Sequence, residues 1–168
     1  MKPNRLDFIV AIIAFFTVFA LKINLPVWAI FFGWAWYFVL GGNVSVFKKA
    51  IPSMLLGFVL GGISIFASAA SSGNFYVLAA TVCVTVFILM LSLKTKLFSC
   101  SLASFNAYSI IFAGFYALNF PNIVNGGFGD IGNILIAIAW FSLASIVGLI
   151  CGYVSITLST LKKNKKGE

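Results

Sequence analysis

Long apolar runs separated by short polar clusters lay out this chain. Each run approaches the roughly 20 residues that a helix needs to cross a bilayer. The pattern predicts six transmembrane helices over about 6–22, 25–41, 51–70, 75–93, 97–118 and 133–161, with a basic tail at 162–168. Local punctuation fits these bounds. Lys22-Ile23-Asn24 makes a tight hairpin after the first run, Asn24 suits a cap, and Pro26 fits the first turn of the second helix. Gly41-Gly42-Asn43 supplies its stop, and Ser71-Ser72-Gly73-Asn74 ends the third helix, which carries Pro52 in its expected first turn. Asp130 suits the N-cap of the last helix, and the 119–133 connection reads as an outer loop, with re-entry into the membrane as the alternative. The basic start Met1–Arg5 is followed by no A-x-A-like cleavage site, so the first run is expected to stay as a helix.

Composition fixes the solvent. The chain is 62% hydrophobic and 8% charged, against about 25% charged in soluble domains. With a mean hydropathy of +1.12, it reads as an all-α integral membrane protein forming a single transmembrane domain. The net charge of +8 belongs to segment ends, which points to membrane orientation and away from nucleic acid. Six spans with both termini cytoplasmic put Lys2, Arg5, Lys48, Lys49, Lys94, Lys96 and the four tail lysines on one side and leave only Lys22 on the other. Five spans destroy that segregation, so a multi-pass protein of the bacterial inner membrane is expected.

The reactive inventory is short. There is no histidine, and the only acids are Asp7, Asp130 and Glu168, none of them mid-span. Cys83, Cys100 and Cys151 show no metal spacing. Nucleophile-base pairs, metal hydrolysis and intramembrane carboxylate chemistry therefore lack residues, and neither enzymatic activity nor a cofactor or metal is expected.

Weakly polar residues fall instead on helical stripes. The third helix aligns Ser53, Gly57, Gly61, Ser64 and Ser68, and the sixth aligns Ser145, Gly148, Gly152, Ser155 and Ser159. Both contain G-x-x-x-G-x-x-S-x-x-x-S, a spacing that lets helices approach closely, so Gly57, Gly61, Ser64, Gly148, Gly152 and Ser155 are the packing candidates. The shared pattern, with Ile30-Phe31-Phe32-Gly33-Trp34 against Ile111-Phe112-Ala113-Gly114-Phe115, suggests a three-plus-three repeat, which an odd number of spans makes inverted. In the fifth helix Asn106 is the most polar mid-span side chain, with Ser109 near its face. The second helix crowds Trp34, Trp36 and Tyr37 around Gly33, although such rings usually sit at the water interfaces. A wheel at 100° per residue puts Gly33 and Tyr37 on one face beside Trp36 and turns Trp34 away. Gly33, Trp36, Tyr37, Asn106 and Ser109 are the candidate pore residues, and Trp34 is expected to pack.

The run Leu25-Pro26, Trp28, Phe31, Gly33-Trp34-Ala35, Tyr37-Phe38, Gly41-Gly42 resembles the hallmark of a small bacterial inner-membrane family of unknown function. That likeness extends over nearly the whole chain, with a second similar patch over Phe98 to Ala113. The resemblance implies six helices and brings no activity with it. In size and aromatic content the chain is also similar to six-helix urea and amide channels, though without a shared motif. The expected function is a channel or facilitator for a small uncharged solute, in contact with the lipid bilayer and assembled as a homo-oligomer. An accessory subunit that binds another membrane protein through outward-facing small residues is the alternative.

Overall fold

In the computed structural model, residues 2–116 and 130–161 are described. Among them the chain is all-helical, with six helices: α1 Arg5–Thr17, α2 Val27–Val39, α3 Ser45–Ala70, α4 Phe75–Ser92, α5 Ser101–Tyr116 and α6 Ile131–Thr160. Most of the 119–133 connection and all of the 162–168 tail lie outside the described residues.

Helix ends follow from local chemistry. Asn4 caps α1 in a capping box with Asp7, whose charge also suits the helix N-terminus. A 3-10 segment, Val18–Ile23, continues α1 until Asn24 turns left-handed at φ 56°. Asn24 therefore closes the first helix, and the N-cap of α2 is Pro26, which offers no side-chain acceptor. Gly41 and Gly42, at φ 105° and 63°, end α2 as a Schellman turn: the Gly42 N–H donates to the Tyr37 carbonyl at 2.9 Å and that of Gly41 to Phe38 at 3.2 Å. Asn74 caps α4 by accepting from Tyr76 and Val77, and Asp130 accepts from Gly132 at 3.0 Å at the start of α6.

Two starts differ from the sequence expectation by four residues or more. The third helix begins at Ser45, not Ile51, because Asn43 accepts the Ser45 N–H at 2.9 Å and offers a cap six residues earlier. Lys48, Lys49 and Pro52 thus lie inside α3, where the proline forgoes one backbone hydrogen bond. The fifth helix begins at Ser101, not Leu97, because Thr95 Oγ1 accepts the Phe98 N–H at 3.4 Å and holds a turn before it.

Four helical stretches are long and apolar enough to cross a membrane: Arg5–Ile23, Ser45–Ala70, Phe75–Ser92 and Ile131–Thr160. With 13 residues, α2 spans only roughly 20 Å, short of a ~30 Å hydrocarbon layer. Its length is set by Pro26 at one end and the Gly41-Gly42 turn at the other.

The helices group into two compact units, one from residues 1–47 and 144–168 and one from 48–143. The first holds α1, α2 and the second half of α6, with Ala29, Ile30, Trp36, Tyr37 and Leu149 in its core. The second holds α4, α5, most of α3 and the first half of α6, around Met54, Phe58, Leu89, Ile111 and Phe141. Large apolar side chains of α1 and α4, among them Phe8, Phe15, Phe16, Phe75 and Phe87, are exposed and suited to lipid.

Candidate functional site

In the first unit, glycines let α2 and α6 meet backbone to backbone. A methyl group on Gly33 would overlap the carbonyl oxygen of Ser145, and one on Gly148 would overlap that of Ile30. One turn on, Gly152 sits under Tyr37, where an added Cβ would lie 2.6 Å from the tyrosine Cβ and 2.8 Å from its Cγ. The Tyr37 ring then meets Tyr153 edge-on at 6.3 Å and Phe47 at 5.8 Å. The face carrying Gly33 and Tyr37 is thus the one that α2 lays on α6, and Trp36 is buried with it.

Trp34 is buried too, stacked parallel to Phe31 at 5.9 Å. Its Nε1–H is buried and has no hydrogen-bond partner among the described residues, and the same holds for the hydroxyls of Ser142 and Ser145 on α6. Serines in helices commonly return their hydroxyl to a carbonyl one turn back. Ser64, Ser104 and Ser155 do so, onto Leu60, Cys100 and Cys151. Ser142 and Ser145 leave theirs unspent, and each buried, unsatisfied group carries a penalty of about 1–3 kcal/mol. Beside Trp34 on the helix, Trp28, Phe31, Phe32 and Ala35 line an apolar groove of about 340 Å³.

In the second unit Gly57 and Gly61 bring α3 onto α5. A methyl group on Gly57 would overlap the Ser104 carbonyl oxygen, and one on Gly61 would press on Ile111 and lie 3.2 Å from the Tyr108 carbonyl oxygen. That approach closes a triangle of hydroxyls. Tyr108 Oη lies 2.9 Å from Ser64 Oγ and 3.0 Å from Thr85 Oγ1, and the latter two are 2.8 Å apart. The Leu60 carbonyl is also within reach of Ser64 at 3.2 Å, and the Thr81 carbonyl is within reach of Thr85 at 2.8 Å. Three hydroxyl protons cannot fill all of these contacts at once, so the triangle has more acceptors than donors. It is sealed by Leu60 and Leu89 and by Phe112, whose ring stacks on Tyr108 at 5.1 Å.

Asn106 is half-buried, and Ser109 is exposed with its hydroxyl on the Phe105 carbonyl at 3.0 Å. Two residues along α5 is about 200° of rotation, so Tyr108 and Asn106 lie on different faces. The pore candidates therefore divide between the units, Gly33, Trp36 and Tyr37 in the first and Asn106 and Ser109 in the second. Thr85 and Tyr108 escaped the sequence reading. The available signal was Thr81 and Thr85, four residues apart, the only threonines of an otherwise apolar α4.

A family model for a protein of unknown function (DUF1097) matches residues 8–160. The chain belongs to that family. The match takes in α2 to α6 whole and α1 from Phe8 onward in this DUF1097 protein, so all the contacts of this site fall within the family's extent. No curated protein and no solved structure matches it.

Proposed function

We propose that this DUF1097 protein is a facilitator for a small uncharged solute in the bacterial inner membrane. The carrying observation is the pair of buried polar atoms, Trp34 Nε1 and Ser145 Oγ, that have no partner among the described residues and belong to helices in backbone contact. The indole N–H could take a solute's hydrogen-bond acceptor, and the hydroxyl could take a group of either polarity. Charge favours a neutral cargo: Asp7 sits in the capped first turn of α1, and no acid or histidine lies mid-span to offset the desolvation of an ion.

In this proposal all six helices cross, α2 and α5 as short spans, with both termini cytoplasmic and the chain assembled as a homo-oligomer. Two features support an inverted repeat of α1–α3 and α4–α6. First, with the 3-10 continuation counted into α1, the described lengths run medium, short, long twice over: 19, 13 and 26 residues, then 18, 16 and 30. Second, the glycine motifs do the same work. Gly57 and Gly61 of α3 receive the Ser104 carbonyl and Ile111 of α5, and Gly148 and Gly152 of α6 receive the Ile30 carbonyl and Tyr37 of α2. Ile30 and Ser104 are as far apart in sequence as Tyr37 and Ile111, so one register relates both pairs. It lies two turns from the register suggested by Ile30–Trp34 against Ile111–Phe115. The same contacts weigh against the accessory-subunit reading, because the small-residue faces it would present outward are occupied inside each unit.

Stopped-flow swelling of proteoliposomes is the test. Urea, glycerol and short amides are expected to enter faster than into empty vesicles, and Ser145→Ala is expected to lower the rate per folded molecule. Rates equal to those of empty vesicles for every solute would remove the reading.

A further inference from the structure

Four lysines gather at one end of the second unit. Lys48 and Lys49 lie in the first turns of α3, and Lys94 and Lys96 lie in the connection from α4 to α5. The backbone N–H of Cys100 donates to Ser53 Oγ at 3.1 Å, which ties the start of α5 to α3 one turn beyond Lys49 on the same helical face. The connection is held in shape: Thr95 Oγ1 donates to the Ser92 carbonyl at 2.7 Å, and Ser99 Oγ to that of Lys96 at 3.3 Å.

All four lysines are exposed, and among the described residues of the second unit no carboxylate pairs with them. Asp130, the one acid in residues 48–143, begins α6. Gly62 packs on Ile134 and Ile138, so that start lies beside the second half of α3, roughly 20 Å along the helix from Lys49. The N-terminal ends of α3 and α5 add partial positive charge to the same region. Apolar side chains stand at the same level: Leu97, next to Lys96, is 59% exposed, and Leu91 is 45% exposed. Lysines flanked by bare leucines sit where hydrocarbon gives way to phosphate, with their stems in one and their ammonium groups in the other.

We propose that Lys48, Lys49, Lys94 and Lys96 form a docking site for the phosphate headgroup of an anionic phospholipid. The exposed leucines favour a membrane lipid over a soluble anion, because they offer the acyl chains a surface beside the charge. The site is independent of any transported solute.

Native mass spectrometry of the detergent-purified full chain, titrated with phosphatidylglycerol and with phosphatidylcholine, tests it. Retention of phosphatidylglycerol is expected to exceed that of phosphatidylcholine. It should fall several-fold in each of the pairs Lys48→Gln/Lys49→Gln and Lys94→Gln/Lys96→Gln, survive the matching Lys→Arg pairs, and be unaffected by Lys22→Gln. Thermal unfolding in phosphatidylcholine detergent micelles shows whether each variant is folded. Undiminished phosphatidylglycerol retention in both folded Gln pairs overturns the proposal, as does equal loss in Lys22→Gln. Displacement of the lipid by inorganic phosphate at equal concentration would assign the cluster to soluble anions and also overturn it.

Discussion

Gly148 receives the carbonyl oxygen of Ile30 where any other residue would begin its side chain. The obstacle is backbone on both sides, so no rotamer change relieves it. Gly148→Ala is expected to destabilise the protein by about 1–3 kcal/mol or more, although alanine is otherwise the better helix former by about 1 kcal/mol. Gly132→Ala, in the first turn of the same helix, meets the Asp130 carboxylate first among the described residues, at 3.5 Å, and is expected to be neutral or slightly stabilising. Thermal unfolding in one detergent compares the two. Equal midpoints would mean that α2 and α6 do not meet this closely.

Trp34→Phe separates packing from polarity. The ring stack on Phe31 survives in the phenyl group, while the buried indole N–H disappears. Its unsatisfied donor costs about 1–3 kcal/mol, which offsets the smaller ring's lost contacts. Stability is expected to hold within about 1 kcal/mol while solute permeability falls. A variant that is destabilised by more, with unchanged permeability per folded molecule, would make Trp34 a packing residue alone.

Tyr108→Phe and Thr85→Val probe the hydroxyl triangle. Each single change leaves the other two oxygens with a partner, so each is expected to cost about 1 kcal/mol. The double variant is expected to cost less than the sum, with a coupling of at least about 0.5 kcal/mol, because both remove the same 3.0 Å contact. Additive losses in a denaturation cycle would dissolve the triangle into unrelated contacts.

How much of this was readable beforehand depends on the range of the chemistry. Gly41-Gly42, Asn74 and Asp130 act on backbone within a few residues, and each ends or starts a helix where its type suggests. Asn43 is equally local, yet Pro52 suggests a later start, and helices tolerate a proline when tertiary packing outweighs one lost hydrogen bond. Tyr108 is the opposite case. Its partners stand 44 and 23 residues away on two other helices, and nothing in the α5 sequence distinguishes it from a lipid-facing tyrosine. The aromatic cluster around Gly33 was visible, but which of its rings would keep an unspent N–H depends on how α6 crosses α2, and that is a property of the pair.

If the glycine motifs of α3 and α6 are equivalent by an inverted repeat, their substitutions must behave as a matched set. Gly57→Ala forces a methyl group onto the Ser104 carbonyl oxygen as Gly148→Ala does onto that of Ile30. The two losses are expected to agree within about 1 kcal/mol, and the double variant to show their sum, since the sites belong to separate compact units and share no partner. Ser104 and Ile30 also differ in side chain while offering the same carbonyl, so agreement would trace the effect to backbone approach. The measurement is unfolding of the two singles and the double in one detergent. A large loss at Gly148 with tolerance at Gly57 would break the equivalence and leave the shared motif a coincidence of small-residue spacing.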